Sequence, residues 1–412
     1  MSIQAPKGTR DVFGQEMKVW HYVENIVREI TAAYGYSEIR TPIFEATELY
    51  LRGVGDTTDI VQKEMYTFED KGGRSMSLRP ELTAGVARSY LERGMHNQPQ
   101  PTKLWYIGPN FRYENPQAGR YRQHFQFGVE VFGAESPATE AEVISLGYTL
   151  LSKLGVKDLT LHINSIGCPT CRKDYHRALK EFIAERLDSL CGLCSQRFEK
   201  NPLRILDCKT PKCKELLTNA PSVLDSLDDE CKTHFETLKE LLTAFNVPYK
   251  IDPRVVRGLD YYTRTVFEFI EGGLTVIGGG RYDGLISQIG GNQTPAVGFG
   301  MGMERLVNLL EKQGITGLGE ANPDIFIGHA DKEGFKKAQE LVYILRQNGV
   351  KAESDLLSRS VKAQMKYANK INARHTTILG GNELEKAEAN VKNMETGEQE
   401  VVGFDGLVGF LV

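Results

Sequence analysis

Three segments of this 412-residue chain place arginine where it could hold phosphate. The first is Phe111-Arg112-Tyr113-Glu114, which opens a strand–loop–strand pattern. Its polar loop carries Arg120 and Arg122, and its second apolar run reaches Glu130-Val131-Phe132-Gly133. The second segment is Arg257-Gly258-Leu259-Asp260-Tyr261-Tyr262, and the third runs from Gly298-Phe299-Gly300 through Met303-Glu304-Arg305. A guanidinium is permanently charged and its fork matches phosphate oxygens in bidentate geometry. A lone arginine is usually a surface ion pair worth little. Three arginine-bearing segments of this kind predict a polyphosphate site. Glycines around Arg281 and in Gly298–Gly302 would let backbone approach a ligand closely.

The elements that must carry these groups are partly legible. Residues 1–20 read as an extended arm. From Trp20, Val23, Ile26, Val27, Ile30 and Ala33 fall at helical spacing, and Gly35 is placed to stop the helix. Glu38–Glu45 alternates, and Pro42 removes a ladder donor, which predicts a strand at an edge or interface. Strands are expected at 104–107, 111–113, 125–133, 159–164 and 265–270, with a tight turn at Gly278–Gly284 and a helix from Gly302 through Leu310. Residues 168–247 carry all seven cysteines and no strand pattern, and read as an inserted helical module. Residues 313–323 have linker composition. Beyond them, strands at 324–328 and 376–380 and helices at 334–348 and 359–372 make a separate α/β domain.

Bulk properties narrow the class. The chain is too long for one ordinary core. An apolar fraction of 41% and a charged fraction of 25% are those of a soluble globular protein. No apolar run approaches the ~18 residues that span a bilayer, and no secretory leader is visible, so a cytoplasmic location is expected. The formal charge of -4 excludes a polycation but not a local basic face.

With these residues in view, the chain resembles the histidyl-tRNA synthetases, a family of class II aminoacyl-tRNA synthetases. Pro6-Lys7-Gly8-Thr9-Arg10-Asp11 is similar to the family's N-terminal signature. Pro42 lies in what resembles the first class II motif, and Phe111–Gly133 resembles the second. Arg257–Tyr262 is similar to the histidine-specific signature, and Gly298–Arg305 resembles the third motif. The resemblance implies an α+β fold: an antiparallel-sheet class II synthetase catalytic domain over 1–320, with 168–247 as a helical insertion, plus a C-terminal α/β anticodon-binding domain over 324–412. It implies ATP-dependent attachment of L-histidine to its tRNA through a histidyl-adenylate, with ATP as substrate, Mg as cofactor, and a homodimer built in part by the first motif. By motif position, Arg112 and Arg257 would act on the α-phosphate and Arg305 on the terminal phosphates. Arg120 would assist with ATP or the acceptor end. Glu81, Thr83 and Gln126 would take the histidine ammonium, and Glu130, Tyr262 and Tyr261 its imidazole. Two departures stand out: Asn115 replaces a common arginine, and His124-Phe125 reverses the family's Phe-His, so either could meet adenine. The competing expectation is a silent, synthetase-like regulatory subunit of ATP phosphoribosyltransferase. The presence of Arg257 and of a full terminal domain weighs against it.

Two further patterns need no family. Cys168-Pro-Thr-Cys171 and Cys191-Gly-Leu-Cys194 have the spacing of a four-thiolate structural zinc site. Cys208, Cys213 and Cys231 read as ordinary thiols. Lys362, Lys366, Lys370 and Arg374 recur every four residues, with Arg359 just before them. On a helix they would form a cationic ridge that could meet tRNA phosphates.

Overall fold

The protein is described by a computed structural model covering residues 3–55, 58, 60–117, 119–206, 208, 210–315 and 322–412, the side chain of Lys200 excepted. Part of the expected linker, 316–321, lies outside the described residues. Internal contacts divide the chain into two units, Met1–Leu318 and Gly319–Val412.

The first unit is built on an eight-stranded sheet among the described residues. Its order is Ser37–Glu38, Thr102–Phe111, Gln123–Phe132, Ala296–Gly302, Leu274–Arg281, Thr263–Glu271, Thr160–Ser165, Tyr249–Ile251. The six inner strands pair antiparallel, and only the two short edge strands pair parallel. The expected strand at Glu38–Glu45 is broken. Ser37–Glu38 takes one edge of this sheet, and Phe44–Ala46 joins a separate small sheet with Thr67–Glu69 and Ser75–Leu78. Pro42, which cannot donate a ladder bond, sits in the gap.

Four helices cover one face of the large sheet. Gln15–Ala33 buries Val19, Val23, Val27 and Ile30, spaced four, four and three residues apart, and ends before Gly35 at φ 76°. It begins five residues earlier than the apolar spacing suggested. Trp20 packs on the core from its second turn, and Arg10 pairs with Glu16 in its first. Pro137–Lys153, Asp229–Ala244 and Met303–Lys312 complete the layer. Each fully buried aliphatic or aromatic side chain contributes roughly 1.5–3 kcal/mol. The opposite face carries a second core, with Leu82, Tyr90, Tyr106, Tyr261, Tyr262 and Tyr282 among its members.

The stretch 168–247 is helical, as expected, but it does not pack as one piece. Its last helix buries Phe235, Leu238 and Leu242 in the main core. Pro169–Ala184, Gly192–Lys200 and the turns between them share a small core of their own. The expected union of Cys168 and Cys171 with Cys191 and Cys194 is not made. Cys168 and Cys171 cluster with Asp228 and Cys231, while Cys191 and Cys194 cluster with Cys208 and Cys213. The 16-residue helix Pro169–Ala184 lies between the two Cys-x-x-Cys pairs; Cys208 and Cys213, the latter in the helix Pro211–Leu216, complete one group, and Cys231, in the helix Asp229–Ala244, joins the other.

The second unit is a five-stranded sheet among the described residues, ordered Ala352–Ser354, Ile325–His329, His375–Leu379, Glu388–Asn393, Gln399–Gly403. The first three strands are parallel, and the last two form an antiparallel extension that the sequence pattern did not reveal. Val361–Lys370 holds Lys362, Lys366 and Lys370 exposed. Arg374 lies past the end of that helix and pairs with Asp324 at 3.2 Å, so the ridge has three members rather than four.

Candidate active site

A cleft opens on the sheet face opposite the four helices, and strand alternation supplies its polar lining. Along Gln123–Phe132, the side chains of Phe127, Val129 and Val131 enter the helix-covered core, and Phe125 packs against it. The alternate residues His124, Gln126 and Glu130 face the cleft. On the neighbouring strand Val297, Phe299 and Met301 join the core, while Gly298, Gly300 and Gly302 border the cleft. Gly298 lies opposite Glu130 and Gly302 opposite Gln126. A Cβ on Gly298 would overlap the Glu130 carboxylate, one on Gly300 the Gln126 amide, and one on Gly278 the Arg257 guanidinium. These glycines therefore make room for side chains of the site, beyond any approach they allow a ligand. Gly278–Gly280 belong to the strand Leu274–Arg281, not to the expected turn.

Arg112, Arg120, Arg257 and Arg305 all line the cleft. Arg112 donates through Nε to the Pro80 carbonyl at 2.8 Å, which aims its other nitrogens into the cavity. Arg305 donates to the carbonyls of Gly119 and Thr275, each at 3.3 Å. Its pKa is lowered, by burial first and then by the nearby Arg120. So many like charges repel one another until an anion joins them. Arg257 is pinned by an ion pair to Glu268, and its guanidinium carbon lies 5.9 Å from the centre of the Tyr262 ring. Its loop is held from the insertion. Arg172 donates to the Tyr262 carbonyl at 2.6 Å, and the Asn201 amide donates to Asp260 at 2.7 Å.

The same cleft carries acidic and hydroxyl groups. Glu81, Thr83, Gln126, Glu130, Tyr261 and Tyr262 line it. Both Glu81 oxygens accept backbone N–H bonds of 2.8 Å, from Thr83 and Ala84, at the start of the helix Thr83–Glu92. Burial still raises its pKa. Glu130 is fully buried and accepts from the Thr83 hydroxyl at 2.7 Å, the Tyr106 hydroxyl at 2.9 Å and the Tyr282 hydroxyl. Burial pushes its carboxyl up to about 8, against the pull of those three donors. The Asn110 amide donates to Gln126 Oε1 at 2.7 Å and fixes that side chain.

The structure separates His124 from Phe125. His124 faces the cleft and is kept neutral, its pKa lowered to about 3 by burial and then by Arg112. Phe125 turns to the other side and meets Trp20 edge-on at 5.4 Å.

Four residues of this arrangement were not singled out from sequence. Tyr106 and Tyr282 orient Glu130, Glu268 holds Arg257, and Glu304 accepts from the Phe125 N–H at 2.8 Å. Period two on Thr102–Phe111 could have pointed to Tyr106, which lies two residues from Leu104, the register partner of Glu130. Tyr282 gives no local signal, because it reaches Glu130 across two strands.

Comparison with known proteins identifies the family. Residues 8–306 match the family model described as histidyl-tRNA synthetase, and residues 324–412 match an anticodon binding domain. The chain is 52% identical to the histidine–tRNA ligase of Acetivibrio thermocellus, covering 100% of both chains. It is 53% identical to that of Caldanaerobacter subterraneus, covering 98% of each. The crystal structure of apo S. aureus histidyl-tRNA synthetase superposes with a TM-score of 0.85 at 41% identity, covering 100% of both chains. A Bacillus halodurans structure titled as an ATP phosphoribosyltransferase regulatory subunit/histidyl-tRNA synthetase is similar in fold alone, with TM-score 0.66 at 23% identity over 89% of this chain and 97% of that one. By sequence and by fold, the chain belongs to the histidyl-tRNA synthetase family.

Proposed function

We propose that the chain joins L-histidine to its tRNA in two steps. One observation carries this reading: Arg112, Arg257 and Arg305 line one cleft together with buried Glu130 and Tyr262. In the first step a histidine carboxylate oxygen attacks the α-phosphorus of ATP, the bond to the bridging oxygen breaks, and pyrophosphate leaves. In the second, a hydroxyl of the tRNA's 3′-terminal adenosine attacks the histidyl carbonyl and AMP leaves.

Arg112 and Arg257 hold the α-phosphate, where charge grows in the first step. Arg305 holds the terminal phosphates, with Arg120 at the rim, and neutral His124 faces the nucleotide. Fixed cations of this kind need no reorganisation when charge develops. Glu81, Thr83 and Gln126 take the ammonium; Glu130 and Tyr262 read the imidazole, with Tyr261 packed beside them. A side chain lacking ring nitrogens would leave those buried groups unpaired. Glu114 fits a magnesium ion: it lines the cleft, and its Oε2 is buried without a hydrogen bond, with the Arg120 guanidinium at 3.7 Å. A magnesium ion there would neutralise phosphate charge. Seven free cysteines suit the reducing cytoplasm. Exposed Ile43 and Phe44, beside Pro42, suit a homodimer contact.

Histidine-dependent exchange of pyrophosphate into ATP tests the reading without tRNA. Folded protein that shows no exchange would overturn it. Gly298→Ala, which crowds Glu130, is expected to lower stability by about 1–3 kcal/mol. It should raise the KM for histidine more than that for ATP; thermal unfolding and exchange kinetics measure the two effects. Lys366→Glu with Lys370→Glu is expected to raise the KM for tRNA about tenfold or more while leaving exchange unchanged. Equal damage to both activities would remove this helix face from the RNA contact.

A further inference from the structure

Four sulfur atoms meet at one point in the small core of the insertion. The Sγ atoms of Cys191, Cys194, Cys208 and Cys213 all lie within 4.8 Å of one another. Cys194 and Cys213 are fully buried and Cys208 nearly so. The Cys191 and Cys208 sulfurs are 3.8 Å apart, far beyond a disulfide bond. A tetrahedral zinc–thiolate centre with Zn–S of about 2.3 Å sets its sulfurs about 3.8 Å apart. The spacing Cys-x2-Cys-x13-Cys-x4-Cys gives one close pair from a Cys-x-x-Cys turn and the others from later turns, as in structural zinc sites. The Cys191 backbone N–H donates to Cys213 Sγ at 3.3 Å, the kind of contact that orients a metal-bound thiolate.

The surroundings need such a staple. The helices Gly192–Lys200 and Pro211–Leu216 have nine and six residues, too few to be stable alone. The core they share is small, and three of the four cysteines are among its buried members. The other cluster differs. Its Asp228 caps the helix Asp229–Ala244, accepting from the Cys231 N–H at 2.8 Å, and it also accepts from the Cys168 thiol at 3.2 Å. Those contacts account for its arrangement without a metal.

We propose that Cys191, Cys194, Cys208 and Cys213 bind one zinc ion as thiolates and so fix the turn that presents Asn201 to the Arg257–Tyr262 loop. Each thiol gives its proton to solvent as its sulfur joins the metal. Asn201 follows the helix that starts beside Cys191, and it donates to Asp260, three residues from Arg257. The metal is thus a positioning device for the loop. The consequence for catalysis rests on the proposed reaction, whereas the metal site does not.

The test uses full-length protein expressed with zinc and purified under reducing conditions. Elemental analysis of Cys208→Ser with Cys213→Ser should find one zinc fewer per chain than in the parent. This difference is read whether or not the second cluster also holds metal. Should that variant fold poorly, the parent itself decides the question. Substitution with cobalt should give the intense visible bands and thiolate charge transfer of tetrahedral four-sulfur coordination. Equal zinc in parent and variant overturns the proposal, as does a parent that carries iron, or no zinc with seven freely titrating thiols. Asn201→Ala should keep its zinc and lose at least about tenfold in exchange rate. Unchanged exchange would sever the link to the loop. A parent that binds zinc but shows no exchange would sink the proposed reaction and leave the metal site standing.

Discussion

Arg257→Ala should slow histidine-dependent pyrophosphate exchange by about 10²–10³-fold, the cost of removing one preorganised charge from a developing oxyanion. ATP affinity should change little. The reason lies in how the guanidinium is held. Burial works against its charge, but Tyr262 and Glu268 more than offset that, and its pKa is raised overall. Gly278 leaves it room on the neighbouring strand, and the Glu268 ion pair fixes its direction. A group so fixed gains most when charge grows in front of it and adds little to ground-state binding. Arg257→Lys should recover only part of the rate, because one ammonium cannot serve Glu268 and a phosphate with the two arms of a fork. Single-turnover kinetics and direct ATP binding separate the effects. If affinity falls as far as rate, Arg257 is a binding group and nothing more. If turnover stays within threefold, it has no part in the step.

The arginine reading has a physical basis, and so do its gaps. Charged residues carry their chemistry in their identity, so Arg112, Arg257 and Arg305 could be singled out before any fold was known. Strand alternation then places Gln126 and Glu130 on one face. Tyr282 could not be found this way, because its role depends on which strands are neighbours across the sheet. The cysteines show the same limit. Spacing joined two Cys-x-x-Cys pairs, but the helix Pro169–Ala184 carries one pair away from the other. Cys208 and Cys213, with no motif between them, complete the four-sulfur group through turns that local pattern does not mark. The start of the first helix was missed for a related reason. Its first two turns are held by the Arg10–Glu16 pair and by Trp20 packing on Phe125, contacts that apolar periodicity does not mark.

Glu130→Gln should raise the KM for histidine by roughly two to three powers of ten, since truncating one member of a buried charged contact costs about 3–4 kcal/mol. The pH dependence makes the prediction specific. Burial holds the free carboxyl up to about 8, so near pH 7 the empty site carries a proton there. A bound imidazole or ammonium favours the carboxylate, and binding therefore releases that proton. Histidine affinity should then rise with pH between about 6 and 8 and level off above, with a slope of up to about one decade per pH unit. Free histidine titrates its own ring near pH 6.5, and the Gln variant supplies the correction. It keeps the ligand's titration and loses the slope due to Glu130. Calorimetry in buffers of different ionisation heat should count about one proton fewer released by the variant at pH 7. Folding gives a second sign. Because the folded pKa lies above the unfolded one, the carboxyl's contribution is fully present below about pH 4.5 and is lost as pH rises through about 8. The Gln variant should lack that decline and be at least as stable at pH 8, so weaker histidine binding could not be ascribed to unfolding. Equal pH slopes in the two proteins would mean that Glu130 stays ionised in the empty cleft, held by its three hydroxyl donors more strongly than burial opposes them.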